Sequence, residues 1–353
     1  MDGITYSVPN IKDLASDYGV TMRKDLVEKY NIDINAIKNL DDLEKVFKTI
    51  KDNEPNVIPT VKYAQSIIDS YVLAYMDTLG DGFGVLPNYD NDLKVVNWFE
   101  TPEYEQLLNK MRSWYLAGYI AKDAATDTAT KYDLMRAGKA FSWLSHLKPG
   151  VEQQESRSAG TEMVSVRLLP AATATTKITG SGWSIARNSE NPERTMMFLD
   201  LLYTDQELQN LFSWGIEGKH YVKTSDTTID FPAGVDASNS GYNLQQGYMF
   251  GNQFLSYTFK GDDPELWNQM SAFNKGALIS KAMGFNFNAE PVKTEVASVT
   301  NVQNQYKIAL ETGTVDPAKI LPEFIKQLKA AGIDKIISEK QRQLDEWAEK
   351  NNK

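Results

Sequence analysis

Thr179-Gly180-Ser181-Gly182-Trp183-Ser184-Ile185, then Asn191-Pro192-Glu193, then Trp214-Gly215-Ile216-Glu217-Gly218-Lys219-His220-Tyr221 is the succession on which the fold turns. It reads as a half-buried strand, a proline-started helix, a second helix and an aromatic loop. Asn191-Pro192 predicts a capped helix with Met196, Met197, Leu199 and Leu201 as its apolar positions. Thr204-Asp205-Gln206-Glu207 has the capping-box spacing, Glu207 falling three residues after Thr204. Gly215 is placed to close the second helix in the left-handed conformation.

Working outward, residues 164–170 alternate as a strand, and the Ala/Thr-rich stretch 171–179 reads as a connector between lobes. Ala140-Phe141-Ser142-Trp143-Leu144 has the pattern of a buried strand, preceded by a short helix from Asp133 that ends at Gly138. Thr101-Pro102-Glu103 starts a helix through about Leu116, because hydroxyl, proline and acid suit successive positions of a first turn. Asn39 and Asp41 offer caps for a helix whose apolar face is Leu43, Val46, Phe47 and Ile50. Residues 64–79 predict another helix, with Ile67, Ile68, Val72 and Tyr75 inward. Residues 4–8 alternate as a short strand that stops at Pro9, and Gly19-Val20-Thr21-Met22 is a second extended piece. Downstream, 222–262 is loop-rich. Asp316-Pro317 then opens a helix carrying Leu321, Phe324, Ile325 and Leu328, which Gly332 breaks before a last helical segment. Short strands separated by helices make an α/β chain. They are too few and scattered for a complete (β/α)₈ barrel.

Composition narrows the function. The chain has 353 residues, room for two lobes of about 100–200 residues each. Its net charge of −10, without a Lys/Arg block, disfavours nucleic acid as a partner. There is no cysteine, which removes thiolate metal sites and fits an exported protein without disulfides. His146 and His220 are far apart and have no neighbours at metal-ligand spacing, so no metal or cofactor is expected. Met1-Asp2-Gly3-Ile4-Thr5-Tyr6 has neither a basic nor an apolar leader pattern, and no run approaches the ~18 apolar residues of a membrane helix.

No catalytic constellation stands out. The 47 acids make chance carboxylate pairs inevitable, and Asp81, Asp90 and Asp92 miss the calcium-loop spacing. Gly180-Ser181-Gly182 lacks the spacing of a nucleophile elbow, and no phosphate loop occurs. Aromatics remain: 7 Trp, 17 Tyr and 14 Phe, several on Gly- or Asn-flanked stretches. Flat rings beside planar amides suit a sugar, whose C–H faces stack while its hydroxyls hydrogen-bond in pairs. Trp143, Trp183 and Tyr248-Met249-Phe250-Gly251-Asn252-Gln253 supply those types, although a Trp in a strand pattern also reads as core.

The chain resembles the family 1 solute-binding proteins of bacterial ABC importers. Asp2-Gly3-Ile4-Thr5-Tyr6-Ser7-Val8-Pro9 is similar to their DGK-x-Y-x-x-P segment, and Arg23-Lys24-Asp25-Leu26 to the N-K-D-L that follows. Met135-Arg136-Ala137-Gly138-Lys139-Ala140 is similar to F-x-x-G-K-A-A-M, after which the family places a sugar-stacking tryptophan, here Trp143. From Trp214 onward the likeness narrows to a lipoprotein subgroup, through Gly215 to Tyr221, Met249 to Gln253, Gly284-Phe285 and Glu339 to Trp347.

The resemblance implies a two-lobed, type II periplasmic-binding-protein-like α/β fold with a hinge, whose first lobe is incomplete because family members begin with a signal peptide, a lipidated cysteine and several βα units. The expected division is 1–18 as a remnant of lobe one and 19–170 as lobe two. Residues 171–222 return to lobe one, and 223–353 form a loop-rich, then helical region on lobe two. The expected function is non-covalent binding of an oligosaccharide in an interlobe cleft by an extracellular monomer that serves a membrane permease. Trp143 and Trp183 would be platforms and Asn252 and Gln253 hydroxyl readers. Tyr6 and Asn10 would line the crossover, with Tyr63 and His146 as further contacts. The rival readings are an extracellular carbohydrate hydrolase using an Asp/Glu pair and a surface protein-interaction module.

Overall fold

The Gly182-Trp183 strand is two residues long and pairs antiparallel with Val8–Pro9, Val8 opposite Trp183 and Pro9 opposite Gly182. The structure, a computed structural model, describes residues 5–237, 239–242 and 247–353. Ile4, the first residue of the predicted opening strand, lies outside them, as do Asp2 and Gly3.

The chain divides into two compact units. The first comprises Met1–Ala15, Lys148–Gln153 and Thr176–Gly276; the second Ser16–Leu147, Gln154–Thr175 and Ala277–Lys353. The chain therefore passes between units after Ala15 and after Thr175, with a further short excursion at 148–153. Residues 223–276, expected on lobe two, belong to the first unit instead. The reason is polar. Helix Gln206–Trp214 turns Gln209, Asn210 and Ser213 inward. Asn210 accepts from Tyr257 N at 2.8 Å and donates to Leu255 O at 3.0 Å, satisfying backbone that a loop cannot satisfy itself. Strand Thr228–Asp230 then joins Val222–Lys223 and Thr258–Phe259 in a three-stranded sheet over Tyr221, Ile229, Tyr257 and Phe259.

Helix Pro192–Thr204 forms, but Asn191 gives it no side-chain cap and it buries Leu199 and Leu202 while Met196, Met197, Phe198 and Leu201 are exposed. The next helix is capped by Asp205, whose carboxylate accepts from Leu208 N, rather than by a Thr204 box. Gly215 ends it with φ 84° and ψ −139°, a conformation open to glycine and outside the left-handed helical region. A Cβ there would lie 2.4 Å from Nδ1 of His220, which accepts the Ile216 amide.

The second unit holds a five-stranded sheet in the order Leu278–Ile279, Met163–Thr173, Ser16–Arg23, Ala140–Leu147, Ile58–Thr60. The three central strands are antiparallel and both edges parallel. Gly19 permits the closest approach, since a Cβ would sit 1.9 Å from the Val166 carbonyl oxygen. The strand Met163–Thr173 is longer than expected and takes in part of the supposed connector; Thr175–Thr179 is a short helix.

Helices Leu40–Asn53 and Pro102–Leu116 begin at Asn39 and Thr101, whose side chains accept first-turn amides as predicted. Residues 64–79 do not form the expected helix. The Asp69 carboxylate takes the amides of Gln65, Ser66 and Ser70, holding a turn ahead of a short 3₁₀ segment Tyr71–Tyr75 and strand Met76–Asp77. Three helices, Lys293–Glu311, Pro317–Ala330 and Ile333–Lys350, finish the unit. Gly332 sits between the last two at φ 101°.

Candidate functional site

In the second unit, the turn at 63–70, helix Lys131–Arg136 and strand Ala140–Leu147 bring Tyr63, Trp143 and His146 together. The rings of Tyr63 and His146 meet edge to face at 5.4 Å. Ser70 fixes the histidine twice: its Oγ accepts the His146 amide at 3.2 Å and lies 3.1 Å from Nδ1. Both rings are half-buried and keep accessible surface.

Trp143 is different, and its full burial rules out the platform role expected of it. Its side chain is fully buried among Val61, Met135, Ala140, Ala159 and Met163. Its ring is already occupied by a cation of the chain itself: Lys131 Nζ stands 4.4 Å from the Trp143 ring, 4.0 Å from Tyr63 and 4.7 Å from Tyr132. Glu155 closes this cage, with its Oε2 3.1 Å from Nζ and accepting from Tyr132 OH at 3.0 Å. Burial pulls the Lys131 pKa below its ordinary value against the opposing pull of Glu155, and burial likewise raises the Tyr132 phenol. Trp143 is thus a wall behind Tyr63. Lys131 and Glu155 carried no signal in the sequence, where an isolated lysine and glutamate read as solvated surface.

In the first unit, the segment 248–253 anchors the remaining candidates. Trp183 donates from its indole to Met249 O at 2.8 Å and stacks on Phe250 at 6.3 Å and 27°, leaving its ring half-exposed. Tyr6 is 62% exposed. Asn10, expected along the crossover, is 3% exposed and internally committed: its Nδ2 donates to Tyr248 O at 3.1 Å, and its Oδ1 lies 3.2 Å from Tyr203 OH. Asn252, expected to read hydroxyls, caps the short 3₁₀ turn Gln253–Leu255 through its Oδ1, while its amide nitrogen faces Tyr203 O at 3.5 Å. Both asparagines are structural because backbone groups left unpaired at the ends of short elements need side-chain partners. Gln253 is half-buried, with its Oε1 making no hydrogen bond. Tyr203, the residue joining Asn10 to Asn252, was not singled out in the sequence, where it reads as one more helix position.

Burial raises the pKa of two carboxyl groups in the second unit: Asp17, which pairs with Arg167, and Glu311. Glu311 is 1% exposed and held by Ser66 Oγ at 2.5 Å and Tyr104 OH at 3.3 Å, so it cannot reach a substrate. Among the described residues no cluster of three His, Asp or Glu is placed to hold a metal, and no helix is long and apolar enough to cross a membrane.

The model of the bacterial extracellular solute-binding protein family matches residues 3–209. The chain belongs to that family. A domain of unknown function (DUF3502) matches residues 281–349, the helical end of the second unit. A carbohydrate ABC transporter substrate-binding protein of Streptococcus pneumoniae is 30% identical over 363 residues, covering all of this chain and 71% of the relative. The polygalacturonan/rhamnogalacturonan-binding protein YtcQ of Bacillus subtilis is 22% identical, covering 65% of this chain and 48% of that protein. Among solved structures, the N-glycan transport solute-binding protein NgtS of S. pneumoniae superposes with a TM-score of 0.86 at 29% identity, covering all of this chain and 77% of that one. NgtS has also been solved with Man1GlcNAc and with Man5GlcNAc. The fold of this solute-binding protein is therefore the mixed α/β, two-lobed one of its family, and the relatives are substrate-binding proteins.

Proposed function

We propose that this solute-binding protein is the carbohydrate-receiving component of an ABC importer. It holds an oligosaccharide non-covalently outside the cell, as a monomer, and delivers it unaltered to a membrane permease. The observation that carries this reading is the likeness, over the whole of this chain and 77% of the other, to NgtS, a protein solved with mannose- and N-acetylglucosamine-containing ligands. Accessible aromatic rings in each unit support it. Trp183, backed by Phe250, is the stacking surface of the first unit; Tyr63 and His146, backed by the Lys131 cage, are that of the second. Tyr6 and Gln253 complete the set of contacts.

Thermal-shift and calorimetric titration against oligosaccharides, including mannosyl-GlcNAc fragments, tests the proposal. A ligand at 100 times its Kd stabilises by ~2.7 kcal/mol, easily seen in a melt. A folded sample that responds to no sugar defeats the reading. So does turnover of a chromogenic glycoside that one Asp or Glu substitution abolishes.

A further inference from the structure

Lys131 and Glu155 form a charge pair sealed inside the second unit, 3.1 Å apart with side chains 7% and 6% exposed. A buried pair of this kind adds little net stability, because desolvating two ions offsets their attraction and an apolar pair of similar volume is often as stable or more so. Its presence therefore needs a cause other than stability, and the surroundings of the ammonium supply one. Nζ stands over three rings, 4.0 Å from Tyr63, 4.4 Å from Trp143 and 4.7 Å from Tyr132. Trp143 and Tyr132 are themselves set edge to face, 6.0 Å apart at 86°.

Tyr63 is the member of this cage that meets His146 and keeps accessible surface beside it. It has little local structure to orient it. Strand Ile58–Thr60 ends before it, and the 3₁₀ segment Tyr71–Tyr75 begins well after it. Its own amide reaches Ser66 O at 3.3 Å. A side chain on irregular backbone has several rotamers open to it, so fixing one takes contacts from elsewhere. Apolar packing tolerates a tilt or slide of the ring. A cation tethered over the ring face does not, since the attraction weakens as the ring leaves it. Glu155 sets where the ammonium stands, and the ammonium sets the ring.

We propose that Lys131 and Glu155 are positioning residues for ligand binding: they lock the Tyr63 ring in the orientation that receives the carbohydrate, without touching the sugar themselves. The inference rests on the carbohydrate-binding reading and adds that part of the affinity lies one layer behind the contact surface. A ring fixed before the sugar arrives has no freedom left to lose on binding.

The test uses the full chain with both charges removed together, as Lys131→Met/Glu155→Leu and, should one replacement pack poorly, as Lys131→Leu/Glu155→Met. Calorimetry with Man1GlcNAc and Man5GlcNAc, the glycans with which NgtS has been solved, measures affinity in these, in Tyr63→Ala, and in Tyr63→Ala combined with each neutral pair. Carbon-13 relaxation of ring-labelled tyrosine, with Tyr63 assigned through Tyr63→Phe, reports the order of the ring without any ligand. The expected result is a neutral pair that melts as cooperatively as wild type, binds about three- to ten-fold more weakly and has a less ordered Tyr63 ring. In the Tyr63→Ala background the same charge removal changes affinity less than about two-fold, because its effect passes through that ring.

Unchanged affinity in both neutral pairs, an equal loss with and without Tyr63, or an unchanged Tyr63 ring overturns the inference and leaves the carbohydrate reading standing. Failure of both neutral pairs to fold overturns it too, since the charges would then serve stability. Wild type that binds neither glycan, with a loosened Tyr63 in the neutral pairs, upholds the hold on the ring and counts against the carbohydrate reading.

Discussion

Replacing Glu155 by glutamine leaves the Lys131 ammonium buried behind Tyr63 without its counter-ion. Both side chains are less than 10% exposed, 7% for the lysine and 6% for the glutamate, so water offers little compensation. Breaking such a pair from one side typically costs about 3–5 kcal/mol. The cage softens the loss, because three ring faces within 4.7 Å of Nζ remain and each contributes about 0.5–2 kcal/mol to holding a desolvated cation. The expected destabilisation of Glu155→Gln at neutral pH is therefore about 2–4 kcal/mol. Lys131→Met leaves instead a buried carboxylate facing electron-rich rings, with Tyr132 OH as its donor, and should lose the full ~3–5 kcal/mol. The double variant Lys131→Met/Glu155→Leu removes both charges and should return to within about 1–2 kcal/mol of wild type or exceed it.

Titration supplies a second readout. With Glu155 gone, the folded-state pKa of Lys131 falls further below its unfolded value. Between those two values the unfolded chain binds more protons, so stability rises with pH and the deficit of Glu155→Gln narrows from pH 7 towards pH 10. Urea unfolding followed by tryptophan fluorescence, with Trp143 in the cage as an internal reporter, measures all three variants. Equal losses in the two single variants, or losses below about 0.5 kcal/mol, would refute the argument that the rings share the charge with Glu155.

Trp183→Ala should weaken oligosaccharide binding by about ten-fold or more, whereas Trp143→Phe should lower stability and leave affinity nearly unchanged; calorimetry and melting separate the two. Gly19→Ala should destabilise by about 1–3 kcal/mol or more, because its Cβ meets the Val166 carbonyl at 1.9 Å in the middle of a sheet; an unchanged urea midpoint would contradict that packing. Glu311→Gln should be neutral or stabilising at pH 7–8. Burial raises the Glu311 pKa, so the stability linked to its proton is present below the unfolded value and is lost as pH rises through the folded one. The variant escapes that loss, and its advantage in Tm should vanish near pH 4.

How much was legible can be seen at particular residues. Thr101-Pro102, Asn39 and Asp316 marked helix starts because a cap is a contact between a side chain and amides two or three residues away, which spacing records. The 64–79 error has the same root. Ile67, Ile68 and Val72 are buried as their spacing predicts and Tyr75 only partly, but the Asp69 carboxylate competes for the amides a helix would need, and periodicity does not register that competition. Asn10 and Asn252 were chosen for the right functional groups in the wrong setting, since those groups already serve backbone and Tyr203.

The sequence by itself determined the α/β character, the helix caps at Asn39, Thr101 and Asp316, the strands at Trp143 and Trp183, the family, and the want of cysteine or a histidine pair for metal chemistry. Those properties depend on composition and on neighbours within a few positions. The tertiary structure alone decided that Trp143 is walled in by Lys131 and Glu155 while Trp183 stays open. It also decided that residues 223–276 join the first unit. Each of these depends on which distant side chains arrive at the same point, and burial and charge are set by that arrival, whatever the local pattern of residues.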